Sequence, residues 1–117
     1  MRRVVDELIE DALRELADEA YQRQLWLASA GPEVSSLTEC ISRLWDDSGL
    51  SSALESRVAV YNPEIDDHLR KLDAILGRID PSRAPEAILE DPQLARARSL
   101  ARSLLEDLRR FGRDDTT

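Results

Sequence analysis

The chain of 117 residues holds one cysteine, one histidine, five aromatic residues and four glycines. Each shortage removes a class of function. Cys40, alone, cannot close an internal disulfide. His68 has Glu64 one turn before it, but a di-metal helical bundle needs a Glu-x-x-His motif from each of two helices, and a single histidine cannot supply both. Gly31, Gly49, Gly77 and Gly112 stand singly, so no glycine-rich phosphate loop is present. No apolar run approaches the roughly 20 residues of a membrane helix. The opening MRRVVDELIEDAL turns acidic at once and lacks the uninterrupted apolar stretch of a secretory signal, so a cytoplasmic location is expected. Basic groups are also short, 16 against 24 acidic, for a net charge of −8. Nonspecific nucleic-acid binding rests on neutralising phosphates, and this balance argues against it.

What is present is material for helices. Apolar residues make up 42% and charged residues 34%, an ordinary soluble composition of one-domain length. With few aromatics, the core must come from Leu, Ile, Val and Ala, which favours helix over sheet. The expected fold is an all-α, single-domain bundle of four main helices plus one or two short ones. It occupies residues 1–112, with 113–117 a disordered tail.

Helix one is expected from Arg3 to Ala28, on an apolar arc through Val5, Leu8, Ile9, Ala12, Leu13 and Leu16. Its last turn holds Leu25, Trp26 and Leu27. Three consecutive large side chains cannot share one helix face, so at least one needs cover from elsewhere. Gly31-Pro32 breaks the chain, and Ser36 with Glu39 fits a capping box that opens helix two. Leu37, Cys40, Ile41, Leu44 and Trp45 line its inner face, so Cys40 reads as a small buried hydrophobe. Asp46-Asp47-Ser48-Gly49 ends it. Ser51–Tyr61 fits a short helix leading into a loop, with a capping box at Ser52 and Glu55, although the alternation of Arg57–Tyr61 also suits an extended segment. Asn62-Pro63 and Asp91-Pro92 are cap-plus-proline starts for helices three and four, and Pro85–Leu89 is a short helix between them. Gly112 is expected to stop helix four.

Function is harder to read. Residues 1–50 carry 11 acidic and 5 basic groups, whereas residues 51–117 are nearly balanced. Glu7, Asp11, Glu15 and Asp18 fall on one side of helix one at spacings where like charges repel. A face that tolerates this repulsion suits a basic partner, and Asp46 and Asp47 add a second acidic patch. No cofactor is implied. Asp6-Glu7 and Glu10-Asp11 have the acid density of helical nucleotide pyrophosphohydrolases but neither their Glu-Glu-x-x-Glu motif nor a second acidic motif facing it. Arg98, Arg102, Arg109 and Arg113 form a stripe on helix four that is expected to cover core edges and meet acids of a neighbouring helix.

Tyr21-Gln-Arg-Gln-Leu-Trp-Leu-Ala28, followed by Leu44-Trp-Asp-Asp-Ser-Gly-Leu50, resembles the opening of a small uncharacterised helical family common in actinobacteria. Pro85-Glu-Ala-Ile-Leu-Glu-Asp-Pro92 resembles that family's C-terminal element. The likeness spans Leu16 to Leu108, and its motifs are packing and capping motifs. Small acidic helical proteins of this kind often sit beside secreted polymorphic toxins. The resemblance therefore implies a non-enzymatic immunity-type inhibitor that binds a basic toxin domain directly. The alternatives are a homo-oligomeric structural or regulatory adaptor using a Trp26/Leu27 surface, and a small metal-dependent hydrolase.

Overall fold

The computed structural model describes residues 4–27, 37–56, 59–80 and 82–115. Seven α-helices follow in order: α1 (Asp6–Ala17), α2 (Glu19–Leu27), α3 (Leu37–Ser42), α4 (Leu50–Leu54), α5 (Pro63–Leu76), α6 (Pro85–Leu89) and α7 (Pro92–Asp115). A π-helical turn, Arg43–Asp47, continues α3. No strand occurs among the described residues, and the expectation of an all-α bundle holds. The expected Gly31-Pro32 turn and the Ser36 cap lie outside the described residues.

The long α7 is the organising element, packed against α1 on one side and α5 on another. At 1.5 Å per residue its 24 residues reach about 36 Å, which accounts for most of the 44 Å long axis. Its buried stripe of Leu94, Ala97, Ala101 and Leu104 meets Ile9, Ala12, Leu13 and Leu16 of α1, and Leu69, Leu72 and Leu76 of α5 complete the core. Alanines at 12, 97 and 101 are fully buried, and small side chains at a helix contact let the axes come close.

Two cap signals act as read. The Asn62 side chain accepts from Ile65 N at 2.7 Å, with Pro63 opening α5. Asp91 Oδ1 accepts from Gln93 N at the start of α7. Buried Asp66 adds a second anchor, accepting from the amides of Val60 and Tyr61 and so tying the incoming loop to α5.

Three boundaries differ from the sequence reading. Helix one is not continuous: it breaks at Asp18, whose backbone is extended (φ −110°, ψ 97°). Aspartate competes well for backbone amides outside helices, and Asp18 Oδ1 accepts from Tyr21 N to cap a new helix, α2. The short helix begins at Leu50 rather than behind a Ser52 cap, because Gly49 adopts the left-handed conformation (φ 81°) that turns the chain. Finally, Gly112 does not stop α7, which runs on to Asp115. A glycine inside a helix costs only about 1 kcal/mol, so it marks a stop only when the chain also has somewhere to turn.

Candidate protein-interaction groove

The break at Asp18 creates a problem that the structure solves with side chains. Ending α1 there exposes the carbonyls of its last turn, which have no helical partner. Gln22, fully buried, donates through Nε2 to Glu15 O and Leu16 O, both at 2.8 Å. Arg102 Nε donates to Ala17 O from α7. Arg98, also buried, donates to Gln22 Oε1 and to Leu89 O, and lies 3.6 Å from Glu19. Burial pulls the Arg98 pKa below its ordinary value, with the Glu19 carboxylate opposing that shift. The arginine stripe therefore behaves as expected at Arg98 and Arg102. Arg109 is exposed, and the Arg113 side chain lies outside the described residues.

Glu15 is the hub of this region, and here the sequence reading needs correction. Far from lying on a solvated acidic face, Glu15 is 5% exposed. Its Oε2 accepts from Trp26 Nε1 at 2.9 Å and its Oε1 from Arg43 Nη1 at 3.0 Å. The hydrogen bond to Glu15 holds the Arg43 guanidinium above its ordinary pKa. Because α3 and the π-helical turn fold against α1, position 15 is covered although it shares a spacing with exposed acids. Trp26 is likewise inside, at 3% exposure, so a Trp26/Leu27 surface reduces to Leu27, which is 41% exposed. The Leu25 side chain lies outside the described residues. Cys40 Sγ donates to Ala12 O, and burial pushes its thiol pKa far up, as fits a packed hydrophobe.

The other expected acids divide into two groups. Asp11 and Asp18 are exposed and, with Leu8, Arg14, Glu15, Tyr21 and Arg43, line an open groove of about 460 Å³. Tyr21 stands on it at 44% exposure, one of three exposed large hydrophobics among the described residues, with Val5 and Leu27. Arg14 partly neutralises the near wall, at 3.3 Å from Asp11 and 3.5 Å from Glu10. Glu7, Asp46 and Asp47 are exposed but do not line the groove. Ser48 O accepts from Val5 N, which sets Asp46 and Asp47 near the N-terminal end of α1. Both belong to the π-helical turn that also delivers Arg43 to the groove, and single π turns inside helices recur at functional sites.

His68 is half-buried, with Nδ1 3.8 Å from Asp107 Oδ2. Among the described residues, no three His, Cys, Asp or Glu side chains gather as metal ligands would. None of the described helices is long and apolar enough to cross a membrane.

These features define a small all-α bundle whose α1–α2 corner is tied together by a buried carboxylate. The chain belongs to the family described as a domain of unknown function (DUF7945), whose model matches residues 3–116. No curated protein and no solved structure matches it. Gln22 and Trp26, the polar and aromatic members of the Tyr-Gln-x-x-x-Trp-Leu element, bond the Glu15 backbone and side chain respectively. The element is thus a structural device for the α1–α2 break. Sequence reasoning missed Gln22, Arg43 and Glu15 as a group. The available signal was Gln22 one turn before Trp26, a polar side chain sharing the face of a large apolar one.

Proposed function

We propose that this protein is a non-enzymatic binding protein whose groove between α1, α2 and the π-helical turn docks a basic protein surface. The specific reading is an immunity-type inhibitor of a bacterial toxin domain. The observation that carries it is the juxtaposition of exposed Tyr21 with Asp11 and Asp18 over a floor held by Glu15 and Arg43. An exposed aromatic beside carboxylates suits a protein anchor, since tyrosine offers large contact area and a polar tip at low entropic cost. The toxin assignment adds two things: the resemblance of the Tyr21–Ala28 and Leu44–Leu50 stretches to a small actinobacterial helical family, and the frequent place of small acidic helical proteins of this kind beside secreted toxins.

The test pairs the purified chain with the protein encoded next to it. The expected result is a one-to-one complex whose association slows as salt rises. Asp11→Asn with Asp18→Asn should slow association about tenfold, because steering charge acts mainly on the on-rate. The asparagine at 18 keeps the cap on Tyr21 N, so folding is preserved. Tyr21→Ala should instead speed dissociation. Association and dissociation rates unchanged in both variants would remove this groove from the interface. Failure of co-expression to protect cells from the neighbouring protein would remove the immunity assignment.

A further inference from the structure

A second groove, on the other side of α7, has the opposite character. It lies between α5 and α7, measures about 600 Å³, and is lined by Lys71, Ala74, Ile75, Arg78, Arg96, Ser99, Leu100 and Ser103. It contains no carboxylate, in a protein of net charge −8. Its three cations are exposed and, among the described residues, none has an ion-pair partner, whereas Arg14, Arg23, Arg43, Arg70, Arg83 and Arg98 all do. Lys71 is the only lysine in the chain.

The groove exists because the residues between the two helices are small. Ala74, Ser99 and Ser103 leave room above a floor formed by half-buried Ile75 and Leu100. On α7, Arg96, Ser99, Leu100 and Ser103 recur at helical spacing over seven residues, about 10 Å of wall. Lys71, Ala74 and Ile75 supply the matching wall on α5, and Arg78 closes one end just past it. The result is a groove about two helical turns long, with Ile75 and Leu100 as its apolar floor, cations on both walls and an open top.

We infer that this groove docks an amphipathic acidic helix of a partner protein, its apolar stripe on Ile75 and Leu100 and its carboxylates on Lys71, Arg78 and Arg96. The match is the helix-in-groove mode of recognition, with charge complementarity on the flanks. A nucleic-acid strand answers the cations but offers no aliphatic stripe for the apolar floor. A second copy of this chain is a poor occupant. The apolar face of its acidic α1, through Ile9, Ala12, Leu13 and Leu16, is already fully buried in its own core. The site is separate from the Asp11–Asp18 groove and does not depend on it.

The test uses the full-length protein and three fluorescently labelled helical peptides of equal length. The first has a leucine seam flanked by glutamates, the second carries lysines in place of the glutamates, and the third is a scrambled form of the first. Fluorescence anisotropy is expected to show the glutamate peptide binding, weakening as salt rises, with the lysine and scrambled peptides at least tenfold weaker. Lys71→Glu with Arg78→Glu and Arg96→Glu should weaken it at least tenfold. Ser99→Trp, which fills the groove and leaves every charge in place, should do the same. All four positions are exposed, and unchanged circular dichroism checks the fold of each variant. The inference is overturned if the glutamate peptide does not bind, if it binds both variants as well as the native chain, or if the scrambled peptide binds equally. It is also overturned if a single-stranded oligonucleotide competes more strongly than the peptide. Concentration-dependent self-association lost in both variants would overturn it too, by making the second copy the occupant.

Discussion

At the scale of the residue, Glu15 decides the most. One buried carboxylate accepts from Trp26 and Arg43, while its backbone carbonyl accepts from Gln22, so three elements meet on a single side chain position. Removing one partner of such a set leaves the others desolvated and unsatisfied. Glu15→Ala should therefore lower unfolding stability by about 2–3 kcal/mol, less than for a wholly buried ion pair because Arg43 reaches solvent. Glu7→Ala, on the same helix and exposed, should change it by less than about 0.5 kcal/mol. Urea unfolding of the two variants makes the comparison, and equal effects would show that Glu15 is not the hub. The contrast also has a practical meaning for the binding surface: charge changes at Glu15 report on folding, whereas those at Asp11 and Asp18 report on the groove.

At the scale of the element, breaks matter more than runs. Asp18 and Gly49 each end one helix direction and begin another: Asp18 separates α1 from α2 beside the groove, and Gly49 turns the π-helical segment into α4. Gly49 has a positive φ of 81°, which a side chain adopts at a cost of roughly 1–2 kcal/mol. Gly77 has an ordinary helical φ of −65°, and an added Cβ would stand 3.4 Å from Asp73 O. Gly49→Ala is thus expected to destabilise by about 1 kcal/mol, and Gly77→Ala to be near neutral, since alanine also reduces the freedom of the unfolded chain. Thermal melts of both variants test this, and the reverse order would contradict the turn assignment.

At the scale of the whole molecule, charge is segregated rather than spread. The acidic first half carries a groove with Asp11 and Asp18, while the α5–α7 side carries one whose cations have no ion-pair partner among the described residues. Charged contacts also link distant segments: Arg23 joins Glu19 to Glu90, and Arg98 lies by Glu19. The hydrogen bond from Arg23, with Arg98 next in importance, holds the Glu19 carboxyl below its ordinary pKa of 4.5. A carboxyl that binds its proton less tightly when folded adds stability above the unfolded value and loses it as pH falls. The contribution is complete above about pH 4.5 and declines below it. Glu19→Gln should flatten the loss of stability on acidification through that range and leave its form unchanged near neutrality. Parallel acid titrations followed by urea melts would measure the difference, and superimposable slopes would remove Glu19 from acid sensitivity.

Helix content, helix-rich core composition and the starts of α5, α6 and α7 were legible in the chain, because periodicity and cap-plus-proline steps are local. Asn62-Pro63 and Asp91-Pro92 carry their meaning within four residues, and both act as caps without help from distant contacts. The burial of Cys40, Leu44 and Trp45 was legible for the same reason. The fate of Glu15 was not. Its spacing matches that of Asp11 and Asp18, and only the packing of α3 and the π-helical turn against α1 separates a buried hub from a solvated acid. The break at Asp18 was hidden in the same way, since its cost is offset by Gln22 from the next helix and Arg102 from the far end of the chain. Local order was written in the sequence. Which polar groups are sheltered, and therefore where the free charge lies, was decided by the tertiary structure, because burial is a property of neighbours that the chain brings together only when it folds.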